Sequence, residues 1–182
     1  MLPLGSKITS ETLWLGTFIF AAIDAVFIPI LVWRINPATF RRLKWTLGIT
    51  TAIFFSALWT WGFVNFWDSI YHYVFPAWAH WIIPPTFGLI YAGISILFWW
   101  LALRLRGNAA ANFCLMGGLW GMITHLFAVS IGIVSKPPVL QGAAPAAAVV
   151  IAIFEFMFYW CVILSMAVLL HHGWCKLRHV SV

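Results

Sequence analysis

The sequence predicts an all-α integral membrane protein, a single bundle of about five transmembrane helices, and three observations carry that prediction. Of its 182 residues, 64% are hydrophobic and only 8% charged, against roughly 25% charged in a soluble domain. Apolar windows of about 20 residues recur along the chain, the length that crosses a hydrocarbon core of roughly 30 Å at 1.5 Å per residue. Trp14, Trp33, Trp45, Trp67, Trp81 and Trp174 stand at the ends of those windows, where amphipathic rings settle at headgroup depth.

The first span runs from about Leu13 to Trp33 and is apolar except for Thr17 and Asp24. Pro29 lacks the backbone donor for the Ala25 carbonyl, so a bend is expected one turn after the aspartate. The loop RINPATFRRLK follows, then a second span from about Trp45 to Trp67. The stretch Asn65 to Pro85, NFWDSIYHYVFPAWAHWIIPP, reads as a short helical or re-entrant cap leading into the third span, about Trp81 to Leu103. A fourth, about Asn112 to Val134, carries Gly117, Gly118 and Gly121, small residues that let a neighbouring helix come close. After SKPPVLQGAAP the fifth span runs from about Ala146 to Leu170, and HHGWCKLRHVSV is expected as a tail in water or headgroups.

Charge sets the expected topology. Arg34, Arg41, Arg42 and Lys44 follow the first span, Arg104 and Arg106 the third, and Lys176 and Arg178 the fifth, while the opposite face holds only Lys7 and Lys136. By the positive-inside rule the amino terminus faces outward and the carboxyl terminus the cytoplasm. The net charge of +6 thus reads as a topology signal rather than a nucleic-acid footprint. MLPLGSKITSETLW shows no small-residue cleavage site after a short apolar core, so a removed signal peptide is not expected. Cys114, Cys161 and Cys175 lie in or beside apolar helices without CxxC spacing and read as packing residues.

Only four acidic residues and six histidines are present, so their placement is the main functional signal. Asn65, Asp68 and His72 have i, i+3, i+7 spacing, which stacks them on one stripe if the second helix continues. His80, arriving from the start of the third span, would complete an Asp, His, His set suited to copper, zinc or non-haem iron. The alternative is an interfacial turn in which Asp68 pairs with His72 and His80 faces water. Deeper, Asp24, His125 and Glu155 are expected within about one turn of the same depth, facing inward and finding one another. Two readings are open for this trio: an interhelical hydrogen-bond set, or a second metal, proton or substrate site. Tyr159, one turn beyond Glu155, can bond that carboxyl in either case.

Asp68 and His72 as Asp-x3-His, followed by His80 in PAWAHWIIPP, resemble the ligand motif of the C subunit of the copper membrane monooxygenases, the methane and ammonia monooxygenase family. The resemblance covers about twenty residues, with a shorter spacer from His72 to His80. It implies copper on Asp68, His72 and His80, in a multi-subunit complex that hydroxylates small apolar molecules with dioxygen. A second resemblance lies in WIIPPTFGLIYAGISILFWWLALR, similar to the Pro-Pro helix of the tryptophan-rich sensory proteins, which implies a porphyrin or sterol ligand.

His125 is the sole mid-span histidine, so bis-His haem is not expected. No nucleophile elbow, phosphate-cradling loop, HExxH or paired CxxC is present, and no repeat suggests a transporter of inverted design. The expected function is a membrane-embedded, metal-binding oxidoreductase subunit. Its rivals are a non-catalytic accessory subunit that binds lipid, quinone or pigment, and a tryptophan-rich lipid or sterol binder. Partners are the bilayer and other membrane subunits or a second copy.

Overall fold

A computed structural model describes residues 10–62, 78–130 and 145–180. Among them every regular element is a helix: α1 (Ser10–Arg34), α2 (Pro37–Arg42), α3 (Lys44–Gly62), α4 (Ala79–Ala102), α5 (Ala109–Ser130) and α6 (Pro145–Val180). Three stretches are long and apolar enough to cross a membrane, Leu13–Arg34, Ala79–Ala102 and Val149–Lys176. Only 17%, 28% and 33% of their most apolar windows are buried within the chain, so most of that apolar surface faces outward. Leu15, Phe18 and Val26 on α1 are each at least 60% exposed, an arrangement that water would oppose and lipid accepts.

Two expectations on local structure change. The loop RINPATFRRLK contains α2, begun by Asn36, whose side chain accepts from the Thr39 N–H at 2.8 Å, with Pro37 at the first helical position. Asparagine at the cap and proline just inside it are a strong start signal. The tail expected after Leu170 is instead helix as far as Val180, since HHGWCKLRHV contains no proline and its one glycine is tolerated inside a helix. Helix α1 also continues through Pro29 as a single element.

Helix directions follow from the packed pairs. Helices α3 and α4 are antiparallel, with Gly48 against Ile96, Phe55 stacked on Tyr91 at 3.9 Å and Trp59 on Phe87 at 4.3 Å. Helices α5 and α6 are antiparallel too, with Gly117 against Trp160 and Gly121 against Phe156. Helix α1 runs alongside α6 in the same direction: Gly16 meets Ile151, and Phe20 and Phe27 flank Phe158.

The core centres on Trp160, fully buried. Its ring meets Phe55 of α3, Phe98 of α4 and Phe113 of α5 at centroid distances of 5.9, 5.3 and 5.3 Å. The glycines of α5 make room for it, because a Cβ at Gly117 would strike the Trp160 ring, one at Gly118 the Met157 side chain and one at Gly121 the Phe156 ring. The small-residue pattern is therefore a helix-docking face, as its spacing implies.

One end of the bundle gathers the carboxyl ends of α1, α4 and α6, the starts of α3 and α5, and α2. A single core cluster there joins Leu31, Ile35, Phe40, Leu43, Ala102, Ala110 and Ala167. Trp99 Nε1 donates to the Phe40 carbonyl at 2.9 Å, tying α2 to α4. The α4–α5 turn closes with Gly107 at φ 97°, a left-handed conformation glycine adopts at no steric cost. Asn108 Oδ1 then caps α5 by accepting from the Ala110 and Ala111 N–H groups. Eight of the ten Lys and Arg (Arg34, Arg41, Arg42, Lys44, Arg104, Arg106, Lys176 and Arg178) belong to this end, with no acidic residue among them. Arg34, Lys44 and Arg104 sit over the rings of Trp33, Trp45 and Trp100 at 4.5, 4.7 and 3.6 Å.

Gly117→Leu should lower stability by about 1–3 kcal/mol, the usual cost of overpacking a core. Denaturant unfolding in detergent micelles measures it, and an unchanged midpoint would show that Trp160 is not seated on this glycine.

Candidate functional site

The outer set divides. Asp68 and His72 lie outside the described residues. His80 is placed in the first turn of α4, half-buried, at the end of the bundle where α3 finishes and opposite the basic end. Among the described residues no three His, Cys, Asp or Glu side chains converge as a metal site.

Of the deep trio, the side chains of Asp24 and Glu155 are described, while that of His125 on α5 lies outside the described residues. Asp24 is 2% exposed, and neither of its carboxyl oxygens has a hydrogen-bond partner. Glu155 is half-buried and accepts a short hydrogen bond from the Tyr159 hydroxyl one turn along α6, as the spacing of those residues leads one to expect. Continuing the α1–α6 pairing places Asp24 level with about Tyr159, and continuing the α5–α6 pairing places the backbone of His125 level with about Ala152. At 1.5 Å per residue Asp24 thus lies roughly 6 Å in depth from Glu155 and roughly 10 Å from His125. Asp24 and Glu155 share no hydrogen bond: the Asp24 oxygens have no partner, and the Glu155 carboxyl is held by Tyr159.

What surrounds Asp24 instead was not apparent from the chain. Cys114 of α5 and Cys161 of α6, both fully buried, interact thiol to thiol, and the Asp24 carboxyl lies within electrostatic reach of Cys114. Each cysteine taken singly reads as packing. Their sum with the Gly117–Trp160 and Gly121–Phe156 register is the one signal that pairs them, and it needs the helix pairing to be known. Between the Gly48–Ile96 and Phe55–Tyr91 pairs, Thr51 and Ser95 are also fully buried, and neither hydroxyl is hydrogen-bonded. The interior therefore holds polar or weakly polar groups on five helices: Asp24 on α1, Thr51 on α3, Ser95 on α4, Cys114 on α5 and Cys161 on α6.

A buried carboxyl can hold a proton or bind a cation. The Glu155–Tyr159 pair is a separate, locally satisfied unit. Removing its donor with Tyr159→Phe should cost about 0.6 kcal/mol and at most about 1.7, the range measured for membrane hydrogen bonds. A double-mutant cycle with Glu155→Gln tests this, and additive losses would mean that the bond contributes nothing.

No protein-family model matches the chain, and no curated protein or solved structure is similar to it, so the chemistry of these side chains alone points to its role.

Proposed function

We propose that the chain is a five-span membrane protein, amino terminus outward and basic end toward the cytoplasm, that binds and releases a proton at Asp24 inside its bundle. The observation that supports this is the carboxyl itself, 2% exposed with both oxygens lacking a hydrogen bond. A lone charge at the centre of a span costs about 2.5–3.5 kcal/mol even on lenient insertion scales. A leucine in its place would avoid that cost altogether, so the aspartate does not serve packing. Ionisable groups inside membranes face the bundle interior and mark proton or ion paths, and Asp24 has that placement.

Two further helices support the five-span reading by their length. Helix α3 has 19 residues and so reaches about 28 Å, close to the hydrocarbon thickness of roughly 30 Å. Helix α5 has 22, and both pack against the longer helices. A protein of this kind serves as a proton-handling subunit beside other membrane subunits or a second copy of itself.

Infrared difference spectra across a pH titration should show a protonated-carboxyl stretch that appears and disappears in the native protein and is missing in Asp24→Asn. Spectra that are pH-independent, or unchanged by the substitution, would sink the proposal. In the same preparation Asp24→Leu should raise the unfolding midpoint, by about 1–3 kcal/mol for relief of an unpaired buried polar group, while abolishing proton exchange.

A second reading keeps a copper site on Asp68, His72 and His80 and an oxidoreductase role for the assembly. It is favoured by one placement: His80 lies in the first turn of α4, at the bundle end opposite the basic one. Elemental analysis of the protein with its native partners should then find stoichiometric metal that Asp68→Ala or His72→Ala removes. Absence of metal, with those variants assembling normally, favours a non-catalytic subunit.

A further inference from the structure

At the basic end, α2 and the carboxyl-terminal turns of α6 enclose a partly open cavity of about 270 Å³, lined by Asn36, Thr39, Arg42, His171, His172 and Cys175 among others. The lining follows from two features unforeseen in the sequence, the short α2 and the continuation of α6 beyond Leu170. Phe40, 1% exposed, plugs α2 into the core and leaves Arg42 on its outer side, exposed. On α6, Cys175 faces His171 Nε2 at 3.8 Å, and the exposed His172 stands next to His171 with ring centroids 6.2 Å apart.

The cavity walls offer nitrogen donors from Arg42 and the imidazoles and include no acidic side chain. The same end of the bundle carries the other seven cations of the eight named above and no acidic residue. A guanidinium presents a planar fork that matches phosphate oxygens two at a time. The Arg34–Trp33, Lys44–Trp45 and Arg104–Trp100 stacks at the same end are of the kind that anchors a protein at headgroup depth, where lipid phosphates reside. At about 270 Å³ the space is below the roughly 300–1,000 Å³ of drug-sized ligand sites, which suits a headgroup and excludes its acyl chains.

We propose that this cavity binds the phosphate of an anionic lipid headgroup, seated between Arg42 and the His171–His172 pair. This assignment requires the basic end to lie at a membrane surface but is independent of Asp24 and of any metal.

The test uses the intact chain in neutral detergent, titrated separately with phosphatidylglycerol, phosphatidylcholine and inorganic phosphate and read by native mass spectrometry. Phosphatidylglycerol should be retained, and Arg42→Ala or His172→Ala should each weaken it about tenfold, the effect of losing a charge-assisted contact. Arg106→Ala, at the same end but outside the cavity lining, should leave retention unchanged. Equal losses from Arg106→Ala and Arg42→Ala would show diffuse charge attraction and overturn the site. Equal retention of phosphatidylcholine would overturn the preference for an anionic headgroup, and full displacement of the lipid by inorganic phosphate would overturn the lipid as its source. All three substitutions fall on exposed side chains, so a folding defect would register separately, as a shifted unfolding midpoint.

Discussion

The structure depends on one contact, the seating of Trp160 on the glycine face of α5. In lipid there is no hydrophobic drive to bring helices together, because acyl chains solvate leucine as well as another helix does; close packing has to supply the attraction. Gly117 removes the side chain that would hold α6 away, and the space is filled by the largest side chain available. Once seated, the indole touches rings on α3, α4 and α5, so a single residue sets the relative positions of four helices. The aromatic pairs between α3 and α4 and the α1–α6 ring contacts extend the same principle outward. Dispersion between large flat groups accumulates where many weak contacts share one interface.

Charge is distributed by a different rule. Lys and Arg are cheap at a membrane surface and costly within it, so the chain confines eight of its ten cations to one end. The helix pairings gather them there because successive long helices reverse direction. With no acid nearby, that end carries a field that must be met from outside the chain. The aromatic rings beneath Arg34, Lys44 and Arg104 offset part of it through cation–π attraction. The cavity beside Arg42 then turns a diffuse basic surface into a shaped one.

Asp24 breaks both rules, being neither apolar nor at an end. Helix α1 places it against α5 and α6, where Cys114 and Cys161 offer only weak donors. Glu155 shows how the fold handles an acid when satisfaction is the goal: Tyr159 one turn away supplies a hydroxyl. Among the described residues Asp24 has no such partner, and that contrast within one bundle is what the proposed proton-binding role rests on.

Composition and periodic apolar length by themselves pointed to an all-helical chain with helices long and apolar enough to cross a membrane, of which the structure has three among the described residues, and to the face of α5 that accepts a neighbour, because each is a local property of residue type and spacing. The cap signal of Asn36 and Pro37 was hidden inside a basic stretch that read as a loop, and the polar run HHGWCKLR concealed the continuation of α6 because surface helix and tail share a composition. Asp68 and His72 lie outside the described residues, so the outer set stands where the chain alone left it. Only the tertiary structure decided that Asp24 lies about a turn in depth from Glu155 with no hydrogen-bond partner, and that Arg42 and His172 line one cavity. Depth along one helix is countable from sequence, but the relative sliding of two helices is not: it is set by which large side chain finds which glycine.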